Sequence, residues 1–341
     1  MKVVITGYNT CCLNHSGGVK NRVKEIYEHL SKCNELQVEY FRPMETEFEN
    51  VDILHLFKLE PEYFNLVRKA KKSGIKIVLS SIVPLYDGWK IDIYRRFINR
   101  LPILTVYKMS FSILSLIDKL IVETQTEADF ILKHYRVDKN KIEVIPNGID
   151  IYTYDGMDIF ERIGNVSDYV LHVGLFHENK NQLRLIKALK GTGIDVVFIG
   201  GEENGDSTYF DKCKSLAAND KHFHFLGWSD RGSNLLKSAY KHARVFAFPS
   251  FQETFGMALI EGAAAGSNIV VSKTLPIHDF HVFDDALFVD PNDENSIRQG
   301  VLEAFNTPLN TNLQKRVINF FSWESVIDKH IKLYSSLYGN K

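Results

Sequence analysis

Between residues 249 and 261 the chain reads Pro249-Ser250-Phe251-Gln252-Glu253-Thr254-Phe255-Gly256-Met257-Ala258-Leu259-Ile260-Glu261. Two carboxylates stand on either side of a small, turn-forming centre. The apolar run Arg244–Phe248 before it reads as a strand, and residues 255–265 after it read as a helix. The backbone N–H groups of Thr254, Phe255 and Gly256 then open that helix, where unpaired donors and the helix dipole favour an anion. Gly256 lets a ligand approach the backbone closely. Glu253 falls just before the helix and Glu261 about two turns inside it. Such a pair can accept from hydroxyls on both sides of a bound phosphate without touching it. The same residues also read as a capped helix with solvated glutamates, and spacing alone leaves both readings open.

Other reactive side chains are less patterned. Cys11, Cys12, Cys33 and Cys213 form no C-x-x-C pair, so neither a zinc site nor a disulfide framework is indicated, and reduced thiols are expected. There is no D-x-D tripeptide, so no metal-bridged diphosphate is suggested and no cofactor is expected.

The elements that must position these residues alternate. Short apolar runs such as Lys2–Thr6, Val51–Phe57, Ile75–Ser80, Lys119–Val122, Tyr169–Val173, Asp195–Ile199 and Asn268–Val271 read as strands. Longer periodic stretches read as helices, near 18–32, 61–73, 91–116 and 125–135, then 179–190, 207–219, 232–242 and 293–306. Continuous strands alternating with helices mean parallel sheets covered on both faces. Two such series predict two doubly wound α/β domains facing a cleft. The turn formers Pro146-Asn147-Gly148-Ile149-Asp150 place the join near 150, and the stretch to Val166 lacks periodicity. The expected division is 1–150, 151–319, and a last segment, 320–341, carrying one amphipathic helix over Phe320–Tyr338.

Composition bounds the function class. The 341 residues are 45% hydrophobic and 24% charged, with 41 Lys plus Arg against 42 Asp plus Glu. A net charge of -1 argues against a dedicated nucleic-acid binder. No stretch approaches the ~20 apolar residues of a membrane-spanning helix. Met1–Gly7 reads as a first strand rather than a signal peptide.

In order along the chain, P-S-x-x-E-x-F-G-x-x-x-x-E and the following Gly262-Ala263-Ala264-Ala265-Gly266 resemble the E-x7-E signature of family 4 retaining glycosyltransferases. Ser16-Gly17-Gly18-Val19 is similar to that family's glycine loop, and Val173-Gly174-Leu175-Phe176-His177-Glu178-Asn179-Lys180-Asn181 to its G-R-L-x-x-x-K segment. Pro146–Asp150, Phe225-Leu226-Gly227-Trp228, Asp290-Pro291-Asn292-Asp293 and Phe321-Ser322-Trp323-Glu324 follow in the expected order. E-x7-E alone is a weak signal; the ordered set is a strong one.

The resemblance implies a GT-B fold, with two Rossmann-like domains and a C-terminal helix crossing back to the first domain. It implies transfer of a sugar, with retention, from a nucleotide-diphosphate donor to a glycan or lipid-linked acceptor. The first domain would take the acceptor and the second the donor. Glu261 would hold the ribose hydroxyls and Glu253 the donor sugar. Lys180 would bind the diphosphate, and the amides of Phe255 and Gly256, beside Thr254, the distal phosphate. Gly174 belongs to the same donor set, and Gly17 and Gly18 would close over the donor from the first domain. Glu253 and Lys180 carry the catalytic expectation.

Three positions depart from the family. Leu175 stands where Arg is common, removing one phosphate-binding cation. The segment Ser80–Asp87 lacks an acceptor-side His, leaving Tyr86 and Asp87 as weak substitutes. Gly262 replaces an Ala and is expected to loosen helix packing slightly. His177, beside the Lys180 segment, is expected to be an exposed loop residue.

From Lys58 to Lys108 eleven Lys or Arg face four acids, a local balance of +7. Trp89, Tyr94, Phe97, Ile98, Leu101, Ile103, Leu104 and Tyr107 interleave with them. This reads either as a core helix with a solvated basic face or as a docking face for an anionic membrane. A cytoplasmic protein is expected, and the second reading would set it at the inner face of the membrane. Competing readings are an epimerase-like or phosphorylase GT-B protein, and a non-catalytic sugar-nucleotide-binding scaffold. A dehydrogenase is disfavoured, since Gly7 does not open a G-x-G-x-x-G.

Overall fold

The computed structural model describes residues 1–7, 18–83, 85, 87–98, 102–151, 154–164, 166–202, 205 and 207–339. The loop with Gly17, and Tyr86, lie outside the described residues. Contacts divide the chain into two units, Met1–Gly148 with Trp323–Lys341, and Ile149–Ser322. Each is a six-stranded sheet with every pair of neighbours parallel.

The first unit carries β1 (Lys2–Thr6), α1 (Gly18–Leu30), β2 (Gln37–Tyr40), β3 (Ile53–Phe57), α2 (Tyr63–Lys72), β4 (Lys76–Ser80), α3 (Gly88–Phe97), α4 (Val106–Leu116), β5 (Lys119–Val122), α5 (Gln125–His134) and β6 (Ile142–Val144). Its sheet order is β2-β1-β3-β4-β5-β6. The second carries α6 (Asp158–Ile163), β7 (Tyr169–Val173), α7 (Gln182–Leu189), β8 (Asp195–Ile199), α8 (Thr208–Ala217), β9 (Phe223–Phe225), α9 (Asn234–His242), β10 (Val245–Phe248), α10 (Met257–Ala265), β11 (Asn268–Ser272), β12 (Leu287–Val289), α11 (Glu294–Asn306) and α12 (Thr311–Phe321). Helix α13 (Trp323–Tyr338) belongs to the first unit.

Both sheets bury both faces, and the period-two alternation of a strand sorts residues between them. Val3, Ile5, Ile53, Phe57, Val78 and Ile121 face one core cluster; Val4, Leu54, Leu56, Ile77, Leu79 and Leu120 face another. In the second unit Tyr169, Leu171, Val197, Ile199, Phe246 and Phe248 face one cluster, and Val170, Val196, Phe198, Val245 and Ala247 the other. Helix α13 completes the first unit by adding Trp323, Val326, Ile327, Leu333, Tyr334 and Leu337 to the cluster under β1 and β3. On that face His55 is fully buried, with Nδ1 2.7 Å from Tyr334 Oη and Nε2 2.9 Å from Ser80 Oγ. Burial drives its pKa well below the ordinary histidine range, so it is neutral.

The sequence differs from the structure in four places. The helix expected over 91–116 is two, α3 and α4. Pro102 has no N–H and disfavours helix in the residue before it, and Thr105 restarts the helix by accepting from Lys108 N at 3.3 Å. Helix α12 was not anticipated; Asn310 caps it, its Oδ1 accepting from Asn312 N and Leu313 N. Nor was α6, one and a half turns in the stretch that showed no periodicity. The chain passes between units at 148/149 and 322/323, rather than at 150 and 320. Ile149 donates its N–H to Phe321 O at 2.9 Å and bridges Ser322, whereas the Trp323 ring lies so close to Gly148 that a Cβ there would come within 2.4 Å of it.

Candidate functional site

The sheet of the second unit runs β12-β11-β10-β7-β8-β9. Successive strands therefore proceed outward in one direction from β7 and then in the other from β10. Ligands of open α/β sheets bind beyond the carboxyl ends of the strands at such a reversal. The two loops singled out in the sequence leave the sheet there: Gly174–Asn181 follows β7, and Pro249–Gly256 follows β10.

Glycines shape the edge of the sheet. Gly174 donates its N–H to Ile199 O at 3.0 Å, and Gly200 to Gly227 O at 2.9 Å. A Cβ on Gly200 would lie 1.9 Å from Gly174 O, so only glycine permits this approach.

The two loops are stapled together. Asn179 Nδ2 donates to Gln252 O at 2.7 Å, while Phe251 N donates to Asn179 O at 2.8 Å. Asn181, buried and at φ 61°, donates through Nδ2 to Pro249 O at 3.0 Å and Pro291 O at 2.8 Å. His177 is exposed, as expected. It also caps the turn, its Nδ1 accepting from Asn179 N at 3.1 Å. The stapling brings Lys180 to Glu253, with Nζ 2.5 Å from Oε1 and the two side chains 24% and 14% exposed. Lys180 also lies over the Phe248 ring, 5.2 Å from its centroid.

Glu261 is buried inside α10. Its Oε2 accepts from Tyr240 Oη at 3.0 Å, and its Oε1 lies 3.3 Å from the Arg231 guanidinium. Burial raises its pKa above the usual carboxylate range, while Arg231 and Tyr240 pull in the opposite direction.

The start of α10 needs correction. The helix begins at Met257, and Gly256 precedes it at φ 88°. Thr254 and Phe255 form a bend before the helix rather than its first turn. Phe255 is responsible: its side chain is buried, edge-on to Phe280 and Phe321, which holds the chain off the helical path. Among the described residues the N–H groups of Thr254, Phe255 and Gly256 have no acceptor, so the loop still presents donors. Gly262 does not loosen the helix. The buried Phe246 ring occupies the space, with Cγ 2.6 Å from where a Cβ would stand.

Three buried polar atoms around the reversal have no partner among the described residues: His172 Nε2, Ser250 Oγ and Gln182 Oε1. Burial drops the His172 pKa to about 4, so its ring is neutral, with Nδ1 2.9 Å from Ala247 O. The sequence missed His172, Asn179, Asn181, Arg231 and Tyr240 as parts of the site. The asparagines flanking Lys180 were the only visible signal.

The remaining expectations fall elsewhere. Leu175 is partly exposed, and its carbonyl accepts from Gln182 Nε2 at 2.9 Å. In the first unit Gly18 is the first residue of α1. Asp87, at φ 61°, precedes α3 and binds Lys90 Nζ at 2.6 Å. Cys33 and Cys213 are free, and Cys11 and Cys12 lie outside the described residues. Among the described residues no helix is long and apolar enough to cross a membrane.

Comparison with known proteins adds the following. Residues 160–320 match the family described as Glycosyl transferases group 1, and residues 35–152 match Glycosyltransferase Family 4. The chain is 28% identical over 261 residues to D-inositol 3-phosphate glycosyltransferase of Corynebacterium glutamicum, a match covering 66% of this chain and 58% of that protein. It is 28% identical over 185 residues to the O-antigen chain mannosyltransferase RfbU of Salmonella typhimurium, covering 54% and 50% respectively. The chain thus spans between half and three fifths of the length of these relatives. Among solved structures, sucrose-phosphate synthase of Thermosynechococcus elongatus superposes with TM-score 0.73 at 17% identity, over 100% of this chain and 99% of that one. Anabaena HepE, in complex with UDP and glucose, superposes with TM-score 0.70 at 14% identity, over 98% and 99%.

Proposed function

The chain belongs to the group 1, family 4 glycosyltransferases, with their GT-B fold, and on that premise we propose that it transfers a sugar, with retention of configuration, from a nucleoside-diphosphate donor. The observation that carries this reading is the meeting of Lys180, Glu253 and the unpaired loop amides beyond the strand reversal, with Glu261 held in α10.

In this reading Lys180 and the amides of Thr254, Phe255 and Gly256 take the diphosphate. Charge builds on it as the glycosidic bond breaks, and preorganised donors stabilise charge where it develops. These donors stand in place of a metal ion. Glu261 accepts from the ribose hydroxyls, its orientation fixed by Tyr240 and Arg231. Glu253 accepts from hydroxyls of the donor sugar, and Gly174 keeps the sheet edge low. The acceptor hydroxyl attacks the anomeric carbon from the face the leaving group departs, through a short-lived oxocarbenium-like ion pair, and gives its proton to the departing diphosphate oxygen. Acceptors are glycans or lipid-linked glycans of polysaccharide, lipopolysaccharide or glycolipid assembly, a class to which the relatives named for O-antigen and undecaprenol-linked acceptors belong. Tyr86, Asp87 and the Gly17-Gly18 loop are proposed for the acceptor side and for closure over the donor.

We further propose that the first unit rests on an anionic bilayer. Trp89, Ile93 and Phe97 form an exposed stripe at four-residue spacing along α3, joined by exposed Ile103, Leu104 and Val106. Lys90 lies over Trp89 and Arg96 over Phe97. Such a face suits the headgroup boundary.

Calorimetric titration of the full chain with UDP, GDP, ADP and dTDP tests the donor site. Lys180→Ala and Glu261→Ala should each weaken the diphosphate that binds by about 10- to 100-fold, the worth of a hydrogen bond to a charged group. Unchanged affinity in both variants would sink the assignment. Slow hydrolysis of one nucleotide sugar by the wild-type chain would separate a transferase from a binding scaffold.

A further inference from the structure

Lys180 and Glu253 are each proposed for a different part of the donor, yet they hold each other at 2.5 Å. Among the described residues Glu253 is the only anion paired with Lys180, and Lys180 the only cation paired with Glu253. A ligand that draws on either must compete with the other for it, since the pair already commits the Lys180 charge to Glu253. The surroundings do little to soften that exchange. Beside Lys180 lie the Phe248 ring and the unpartnered Nε2 of a neutral His172. A Cβ on Gly174 would be 3.8 Å from both that nitrogen and Lys180 Cε. A carboxylate stripped of its cation where solvent reaches it only in part loses stabilisation that water does not fully return.

Two ligands meet this pair differently. A free nucleoside diphosphate takes Lys180, leaves Glu253 without a counter-ion and sets its own negative charge beside that carboxylate. A nucleotide sugar takes Lys180 in the same way but returns hydroxyl donors to Glu253. We propose that Glu253 is a specificity-determining residue that discriminates the sugar-bearing donor from the bare diphosphate product by competing for Lys180. This rests on the donor-site reading above. After transfer, the loss of the sugar hydroxyls leaves Glu253 to reclaim Lys180, which favours product departure.

The test is the affinity of the full chain for the diphosphate that binds in the UDP, GDP, ADP and dTDP panel, and for its glucose, galactose and mannose conjugates. Glu253→Gln removes the competing charge at constant size. It should tighten the free diphosphate about three- to tenfold, the range expected of a partly exposed ion pair and a relieved repulsion. The same variant should bind the preferred conjugate more weakly than wild type does. Opposite signs for the two ligands are not expected of a residue that only shapes the loop. In a Lys180→Met background, Glu253→Gln should keep only the part of the gain that comes from relieved repulsion, and so tighten the diphosphate less than it does beside Lys180. Glu253→Asp, which keeps the charge, serves if the Gln variant misfolds, and should bind the diphosphate no more than twofold more tightly than wild type. Diphosphate affinity that is equal or weaker in Glu253→Gln, or a gain undiminished by Lys180→Met, overturns the proposal. If Lys180→Ala alone leaves the diphosphate unaffected, the donor-site reading fails and takes this inference with it.

Discussion

Glu261 shows how much of the site is set by single side chains. Its carboxylate sits inside a helix, away from water, where burial favours the protonated form. Tyr240 and Arg231 counteract this, one bond to each oxygen. Ribose hydroxyls need acceptors, so affinity for the nucleotide should fall as the pH drops towards the raised pKa, above the range of a solvated glutamate. Tyr240→Phe removes one of the influences that lower this pKa. We expect it to weaken diphosphate binding about fivefold at pH 7.5, the worth of one net hydrogen bond, and to move the acid limb of the affinity profile upward. Titrations between pH 5 and 7.5 would measure both, and superposable profiles for the two proteins would contradict the arrangement.

Glu253 and Glu261 were legible in the sequence because a strand, a turn and a helix fix their spacing locally, and Lys180, 73 positions from Glu253, only through the resemblance of its segment. Tyr240 and Arg231 were not: they lie 21 and 30 positions before Glu261, and only tertiary packing brings them to it. Asn181 was visible beside Lys180 but its partners Pro249 and Pro291, 68 and 110 positions away, were not.

At the scale of elements, the alternation of strands and helices could be read because each strand is a continuous apolar run. The breaks were harder. Pro102 was a visible signal for dividing α3 from α4, whereas the late start of α10 depends on where Phe255 is buried. Gly262 illustrates the same limit. By propensity, Gly→Ala inside a helix should gain about 1 kcal/mol. Against this, Phe246 Cγ would be 2.6 Å from the new methyl group in a fully buried contact, and overpacking typically costs about 1–3 kcal/mol. Packing should win. Gly262→Ala is expected to lower the urea midpoint of the second unit, by an amount equivalent to a net ~1 kcal/mol of unfolding free energy, and Phe246→Leu in the same chain to restore part of it. A midpoint that rises in the single variant would show that the helix shifts freely on the sheet.

The whole molecule is near neutral, yet its charge is unevenly spread, and the basic stretch 58–108 holds the exposed stripe of α3. Trp89 and Phe97 are 61% and 62% exposed, so nothing in the described chain covers them. Burying one such ring is worth about 1.5–3 kcal/mol. We therefore expect the protein to sediment with phosphatidylglycerol vesicles at low salt, and Trp89→Ala with Phe97→Ala to reduce the bound fraction at least tenfold. Equal sedimentation of wild type and double variant, or none of either, would remove the docking face.

The double passage of the chain at 148/149 and 322/323 has a consequence in time. The second unit is an insertion whose two ends, Ile149 and Ser322, bridge each other. It can therefore close as soon as it leaves the ribosome. The first unit cannot: its β1 and β3 face waits for Trp323, Tyr334 and Leu337, which are synthesised only after the whole of the second unit. Until then His55 lacks Tyr334, and an apolar sheet face that α1 covers only in part stays open through the making of an entire domain. The half of the protein that begins first is finished last, and nascent chains stalled before Trp323 are where a holding chaperone would find its target.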